Sequence, residues 1–296
     1  MIDIKKRASY TFYQCFASFC CGEVPVQACR VSRTTNLVKG VNFTSRAETI
    51  ELSRQVFQSF NTWAFKRQQP TEPAKLLLFI EGAVLRSEPI QFVLYWGKGP
   101  RSTVAEPEYD CLRYLCQMGE RIRAVYPPGA CFTLIATDTH ATHNVHPGDA
   151  ITSYFLDVTE AASEFGYSLC YLSATVNAQR SRISGRASIP SADVLGKLEP
   201  CAEKWYKGEG TSSYGAVRYH EMNMLEKQAV ELEFPRAIFI TFNSSDFREL
   251  FPEQLPVFYM YSLRKGSSVK PWFVNIDQLS ASQPGKSESD VVAGII

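Results

Sequence analysis

A chain of 296 residues with 45% hydrophobic and 21% charged residues has the length and composition to bury a large core, which sets it apart from disordered and fibrous proteins. Its 31 Lys and Arg against 30 Asp and Glu leave a net charge of +1, so no overall field draws it to nucleic acid or to an anionic membrane, and a small-molecule partner is expected. No run approaches the roughly 20 apolar residues that cross a bilayer; a cytoplasmic location is expected, with a homodimer left open.

The first forty residues combine aromatics and cysteines without sustained periodicity, and residues 1–40 are read as an arm. Lys5-Lys6-Arg7 before ASYTFYQCFASFCCG loosely imitates a secretory leader, yet Tyr10, Thr11, Tyr13, Gln14 and Ser18 interrupt the apolar segment. Nine cysteines are an odd number, and Cys15, Cys20, Cys21 and Cys29 form no C-x-x-C pair, which argues against a zinc framework or a thioredoxin-type motif. Cys111, Cys116, Cys131, Cys170 and Cys201 fall mostly on apolar faces and are expected as core thiols in a reducing compartment.

Ser45 with Glu48 three residues on is a capping-box signature, and Leu52, Val56, Phe57, Phe60 and Trp63 recur at helical spacing, which predicts a helix ending near Gln68. An apolar segment, Leu76 to Leu85, leads through Ser87-Glu88-Pro89 into a strand over Ile90–Trp96. After the polar loop GKGPRSTVAE a helix is predicted from about Pro107 to Val125, with Leu112, Leu115, Met118, Ile122 and Val125 on one stripe. Pro127-Pro128-Gly129 turns the chain into a second strand over Cys131–Thr137. A loop DTHATHNVHPGD, a helix from about Asp149 to Phe165 and a third strand over Ser168–Val176 follow.

Strand alternating with helix is the pattern of a parallel sheet with right-handed crossovers, so residues 41–180 are expected to form a Rossmann-like α/β core. Beyond it the rhythm loosens. A short helix near Ala192–Tyr206 and β-like runs at Ala237–Phe242, Val257–Leu263 and Val269–Ile276 suggest an α/β extension over 181–296, either lengthening the sheet or adding a mixed or antiparallel annex. The tail from Ser280 to about Ser289 is expected to be loose.

Ligands of open parallel sheets bind outside the carboxyl ends of the strands, which singles out two loops. Gly97-Lys98-Gly99-Pro100-Arg101-Ser102 offers two glycines and two cations, a cradle for phosphate or carboxylate, or else an ordinary solvated turn. The second loop holds Asp138 with His140, His143 and His146. These could bind a metal, supply an acid or base near neutral pH, or be solvated. Arg218-Tyr219-His220-Glu221 is a dense polar patch, and Trp272, beside Pro271, reads as core. The chain carries no G-x-S-x-G elbow and no G-x-G-x-x-G fingerprint after a strand, so a serine hydrolase or a common nicotinamide enzyme is not expected.

Several of these stretches together resemble the pyoverdine/dityrosine-biosynthesis family, which includes the amino-acid isonitrile synthases. PIQFVLYWGKGPRS is similar to the family's proline-led strand and lysine-bearing loop. EPEYDCLRYLCQMGERIRAVYPPGACFTLIATD is similar to its acidic helix, its tyrosine–proline–glycine turn and its strand ending in aspartate. AVRYHEM and SVKPWF stand where the family carries an Arg and His segment and a threonine–proline–tryptophan–histidine element. The chain departs from the pattern at Phe273, where the histidine would fall, at His140, where glycine is usual, and at Gly99-Pro100 inside the lysine loop.

The resemblance implies a metal-independent enzyme, without a cofactor, that condenses the amine of an aromatic amino acid with ribulose 5-phosphate; a fungal branch makes an N-formyl product instead. It casts Lys98 as the imine-forming or phosphate-binding lysine, Arg101 as an anion clamp and Asp138 as an acid/base or amine-orienting group. Arg218 and His220 would hold carboxylate or phosphate and move protons, with Ser102 and His140 as further substrate contacts. A lysine forms a Schiff base with a keto sugar when burial or a neighbouring cation depresses its pKa, and Arg101 could be that cation. The alternatives are a metal-dependent enzyme using His140, His143 and His146, and a non-catalytic relative acting as a binding subunit.

Overall fold

Ser45 opens the first helix for a local reason: its hydroxyl accepts the Glu48 N–H at 3.3 Å while the Glu48 carboxylate accepts the Ser45 N–H at 3.1 Å. The computed structural model describes residues 45–61, 72–183, 190–243, 250–251, 254–260 and 270–273, all within one compact unit. The arm at 1–40 and the tail at 280–289 lie outside the described residues. The first helix, expected to end near Gln68, stops at Phe60 with Asn61 as its C-cap, and the described part of the β-like run at 269–276 is a 3-10 turn at Pro271–Phe273 rather than a strand.

Helix α1 (Arg46–Phe60) and helix α2 (Pro73–Arg86) precede the central strand β1 (Ile90–Trp96). Helix α3 (Glu106–Val125) and strand β2 (Ala130–Ala136) follow, then α4 (Asp138–His143), α5 (Gly148–Glu164) and strand β3 (Ser168–Tyr171). Helices α6 (Leu172–Gln179), α7 (Ala192–Trp205) and α8 (Ser212–Glu233) lead to strands β4 (Ile238–Thr241) and β5 (Val257–Tyr259). A short 3-10 turn spans Pro271–Phe273.

The five strands form one sheet in the order β3-β2-β1-β4-β5, and every pairing is parallel. The protein is thus an α/β fold built on a parallel central sheet. The mixed or antiparallel annex expected after residue 181 gives way, among the described residues, to two more parallel strands. The chain can place them there because the long crossover through α6, α7 and α8 carries it back past β1, which a hairpin could not do. The order reverses between β1 and β4, and at such a switch the connecting helices leave to opposite faces and open a crevice.

Alternate residues of β1 serve the two faces. Phe92, Leu94 and Trp96 join the larger core with Phe60, Ile80, Leu115 and Phe155, whereas Val93 and Tyr95 face the smaller cluster of Leu172, Val230 and Phe239. Three local expectations change. The strand expected to run to Val176 stops at Tyr171, because the Asp138 carboxylate accepts the Ser173 N–H at 3.0 Å and caps α6 from another element. Residues 138–143, expected as loop, make a short helix. Residues 212–233 form a helix that apolar periodicity does not reveal, because α8 packs on more than one side.

The 3-10 turn sits on the loop after β1. A Cβ at Gly97 would lie 2.5 Å from the Trp272 indole, and one at Gly99 would run into the Trp272 carbonyl, so both positions require glycine for close approach. Trp272 is buried, as expected of a core residue. Arg101 donates to the Pro271 carbonyl at 2.8 Å and pairs with Glu108 at 2.5 Å. The buried Glu108 carboxylate also accepts the Tyr154 hydroxyl at 3.0 Å and the Ala105 N–H at 3.2 Å. Removing one member of such a buried pair strands the other charge. Glu108→Ala is therefore expected to destabilise the protein by about 3–5 kcal/mol. Urea unfolding measures this, and a midpoint equal to that of the parent would rule out the role assigned to Glu108.

Candidate functional site

The loops after β1 and β2 begin side by side, since Trp96 is paired with Ala136 and the Thr137 N–H donates to the Trp96 carbonyl at 2.9 Å. The side chains they carry separate into two groups. Lys98 is buried; its ammonium donates to the Gly99 carbonyl at 2.8 Å and to the Arg101 carbonyl, and lies 5.2 Å from the centre of the Tyr154 ring. Burial, and after it repulsion from Arg101, holds its pKa below the usual lysine range. His146 lies close enough to Lys98 for the lysine charge, after burial, to lower its own pKa. Ser102 is exposed in the same loop.

The second group lies under α8, on the side of the sheet that Tyr95 faces. Asp138 accepts the Ser173 N–H and hydroxyl; burial raises its pKa, the Ser173 bonds oppose that shift, and the nearby Glu226 charge adds to it. His140 Nε2 is 2.6 Å from Glu226 Oε2, with the rings of Tyr95 and Tyr219 at 6.3 and 5.8 Å. His143 packs against Tyr206 and Tyr219, at 5.0 and 6.1 Å between ring centres. Burial first, then the charges of His140 and Arg218, push its pKa down to about 4. Arg218 reaches Glu221 at 3.9 Å.

His220 belongs to neither group. It is buried and stacked on Phe251 at 5.6 Å, and no hydrogen bond or ion pair among the described residues links it to Asp138 or His140. The residues expected from the sequence thus divide: Lys98, Arg101 and His146 on one side, Asp138, His140, His143 and Arg218 on the other. Among the described residues no group of three His, Cys, Asp or Glu side chains could hold a metal ion, so the His140, His143 and His146 set does not assemble as ligands. Cys131, expected in the core, is exposed on β2.

Glu226 is the site residue that sequence reasoning missed. Nothing in the local spelling marks it. A helix over 212–233 would have placed Tyr219, Asn223 and Glu226 on one face, but the segment lacks the apolar stripe that announces a helix. Other residues of the same helix line a small pocket of about 20 Å³, room for a water molecule, together with Tyr95, Phe239 and Phe251; Asn223, Lys227 and Glu231 are the helix's polar contributions to it.

These features define an α/β protein with a polar site at the carboxyl edge of a parallel sheet. Its fold is similar to that of the PvcA protein of Pseudomonas aeruginosa, whose crystal structure matches with a TM-score of 0.54 over 75% of this chain and 87% of that one, at 18% identity. At that identity the likeness establishes a shared fold. No family model and no curated protein matches the sequence. No helix among the described residues is long and apolar enough to cross a membrane.

His143 supplies a pH test of the site. An unfolded imidazole takes up its proton near pH 6.5, whereas folded His143 resists protonation until about pH 4, so acid favours the unfolded chain. The stabilising contribution is present above pH 6.5 and is lost as pH falls toward 4. In denaturant titrations at pH 7.5, 5.5 and 4.5, the stability gap between the parent and His143→Gln should shift steadily against the parent on acidification. A gap that does not vary with pH contradicts the burial of a neutral ring.

Proposed function

We propose that this chain is an enzyme of the isonitrile synthase type, joining the amine of an amino acid, aromatic by expectation, to the carbonyl of ribulose 5-phosphate. One observation carries the reading. In a fold shared with PvcA, the loop after β1, beside the point where strand order reverses, presents a buried lysine of lowered pKa.

A neutral lysine amine attacks a keto carbon and, with loss of water, forms an imine. Burial and the Arg101 charge raise the neutral fraction of Lys98, and turnover requires it to exchange the Gly99 and Arg101 carbonyls for substrate. Asp138, with its raised pKa, suits proton exchange nearer neutrality than an ordinary aspartate. Arg218, on α8, is assigned to a carboxylate or phosphate. In this reading residues 41–180 supply both loops and the segment 181–296 supplies the helix over the Asp138 loop and the 3-10 turn on the lysine loop, with no cofactor beyond the sugar phosphate.

A second reading, a relative that binds without catalysing, is favoured by the two carbonyls that hold Lys98 and by Phe273 in place of a histidine. Borohydride trapping separates the two. With ribulose 5-phosphate present, reduction should leave the sugar phosphate covalently on Lys98, identified by peptide mass spectrometry, and incubation with the twenty amino acids should give a product one carbon heavier. Lys98→Ala is expected to abolish the adduct and to cut product formation by at least about 100-fold, the scale of a lost catalytic group. Neither adduct nor product from the parent protein would favour the binding subunit.

A further inference from the structure

The Glu226 carboxylate is divided between a satisfied and an unsatisfied oxygen. Oε2 meets His140 Nε2 at 2.6 Å, while Oε1 is buried with no hydrogen-bond partner among the described residues. The side chain is 2% exposed. A buried, unpaired carboxylate oxygen carries a desolvation cost that native structures rarely leave without a use.

The surroundings say which ligand would relieve it. Asp138 is close enough for the Glu226 charge to raise its pKa, while its own two oxygens accept the Ser173 N–H and hydroxyl. The ring of Tyr95 lies 6.3 Å from that of His140 and the ring of Tyr219 lies 5.8 Å from it, so aromatic rings flank the histidine that meets Glu226. The adjacent lysine of α8, Lys227, is paired with Glu231 at 3.0 Å. No three-ligand metal set is present among the described residues. A compact cation that donates several hydrogen bonds fits these conditions, and a primary ammonium has that form.

We propose that Glu226 Oε1 is the anchor for the primary ammonium group of a ligand, with His140 fixing the other carboxylate oxygen. As the amine site of an amino-acid substrate it rests on the function proposed above; as a primary-amine site it stands on the geometry of Glu226 alone. The small pocket lined by Tyr95 and Asn223 adjoins this cluster through Tyr95.

Calorimetry on the full chain tests it, using each of the twenty amino acids, tyramine and, for every ligand that binds, the counterpart lacking the amine. The parent should prefer the amine-bearing member by about 10- to 100-fold, the range of a charge-assisted hydrogen bond. Glu226→Gln should lose that preference while retaining affinity for the desamino counterpart, which also reports that the variant is folded. If it does not fold, Glu226→Asp, which withdraws the carboxylate by one methylene, is read in the same way. A preference undiminished in the variant overturns the proposal, as does a parent that binds none of the amines. Preference lost on substitution, with no heavier product from the parent, keeps the ammonium site and removes the isonitrile reading. Product formed by Glu226→Gln at unchanged amino-acid affinity removes the ammonium site and keeps the reaction.

Discussion

The carboxylate of Glu108 is the point on which the carboxyl edge of the sheet depends. It sits in the first turn of α3, buried, and receives the Arg101 guanidinium, the Tyr154 hydroxyl and the Ala105 amide. A buried ion pair offsets its desolvation only when the remaining lone pairs are also satisfied, and here both oxygens are engaged. Through Arg101 the same carboxylate fixes the Pro271 carbonyl, hence the Trp272 ring over Gly97 and Gly99. Lys98 is held by backbone carbonyls of that loop, so its burial is a consequence of the Glu108 arrangement.

Sheet geometry then decides what meets what. Tyr95 and Trp96 are neighbours in sequence, but a strand sends them to opposite faces. Trp96 leads to Tyr154 and the lysine loop, with an indole N–H to hydroxyl distance of 3.4 Å. Tyr95 leads to His140, Glu226 and α8. A ligand that engages both groups must therefore bridge the end of β1, beside the switch in strand order.

Much of the architecture could be read along the chain. The capping box at Ser45, the stripe of α3 and the apolar runs of β1 and β2 are local signals, and each stands within a few residues of its expected place. Helix α8 could not be read this way. Its buried positions Gly215, Ala216, His220, Glu226, Ala229 and Val230 mix small, charged and apolar residues, because it is covered on more than one side and Glu226 meets its partner, His140, from a segment distant in sequence. The truncation of the third strand at Tyr171 has a similar origin, since Asp138, 35 residues from Ser173, supplies the cap.

The sequence by itself determined the α/β class, the polar loops at the ends of β1 and β2, and the presence there of Lys98, Asp138 and His140, because hydrophobic period and turn residues act over short distances. Only the tertiary structure decided that β4 and β5 join the sheet in parallel, that His220 stacks on Phe251, and that Glu226 lies against His140. Those outcomes depend on a crossover of three helices and on desolvation of charged groups by residues 86 positions away, and burial of a charge is a property of the assembled core that no local run of residues encodes.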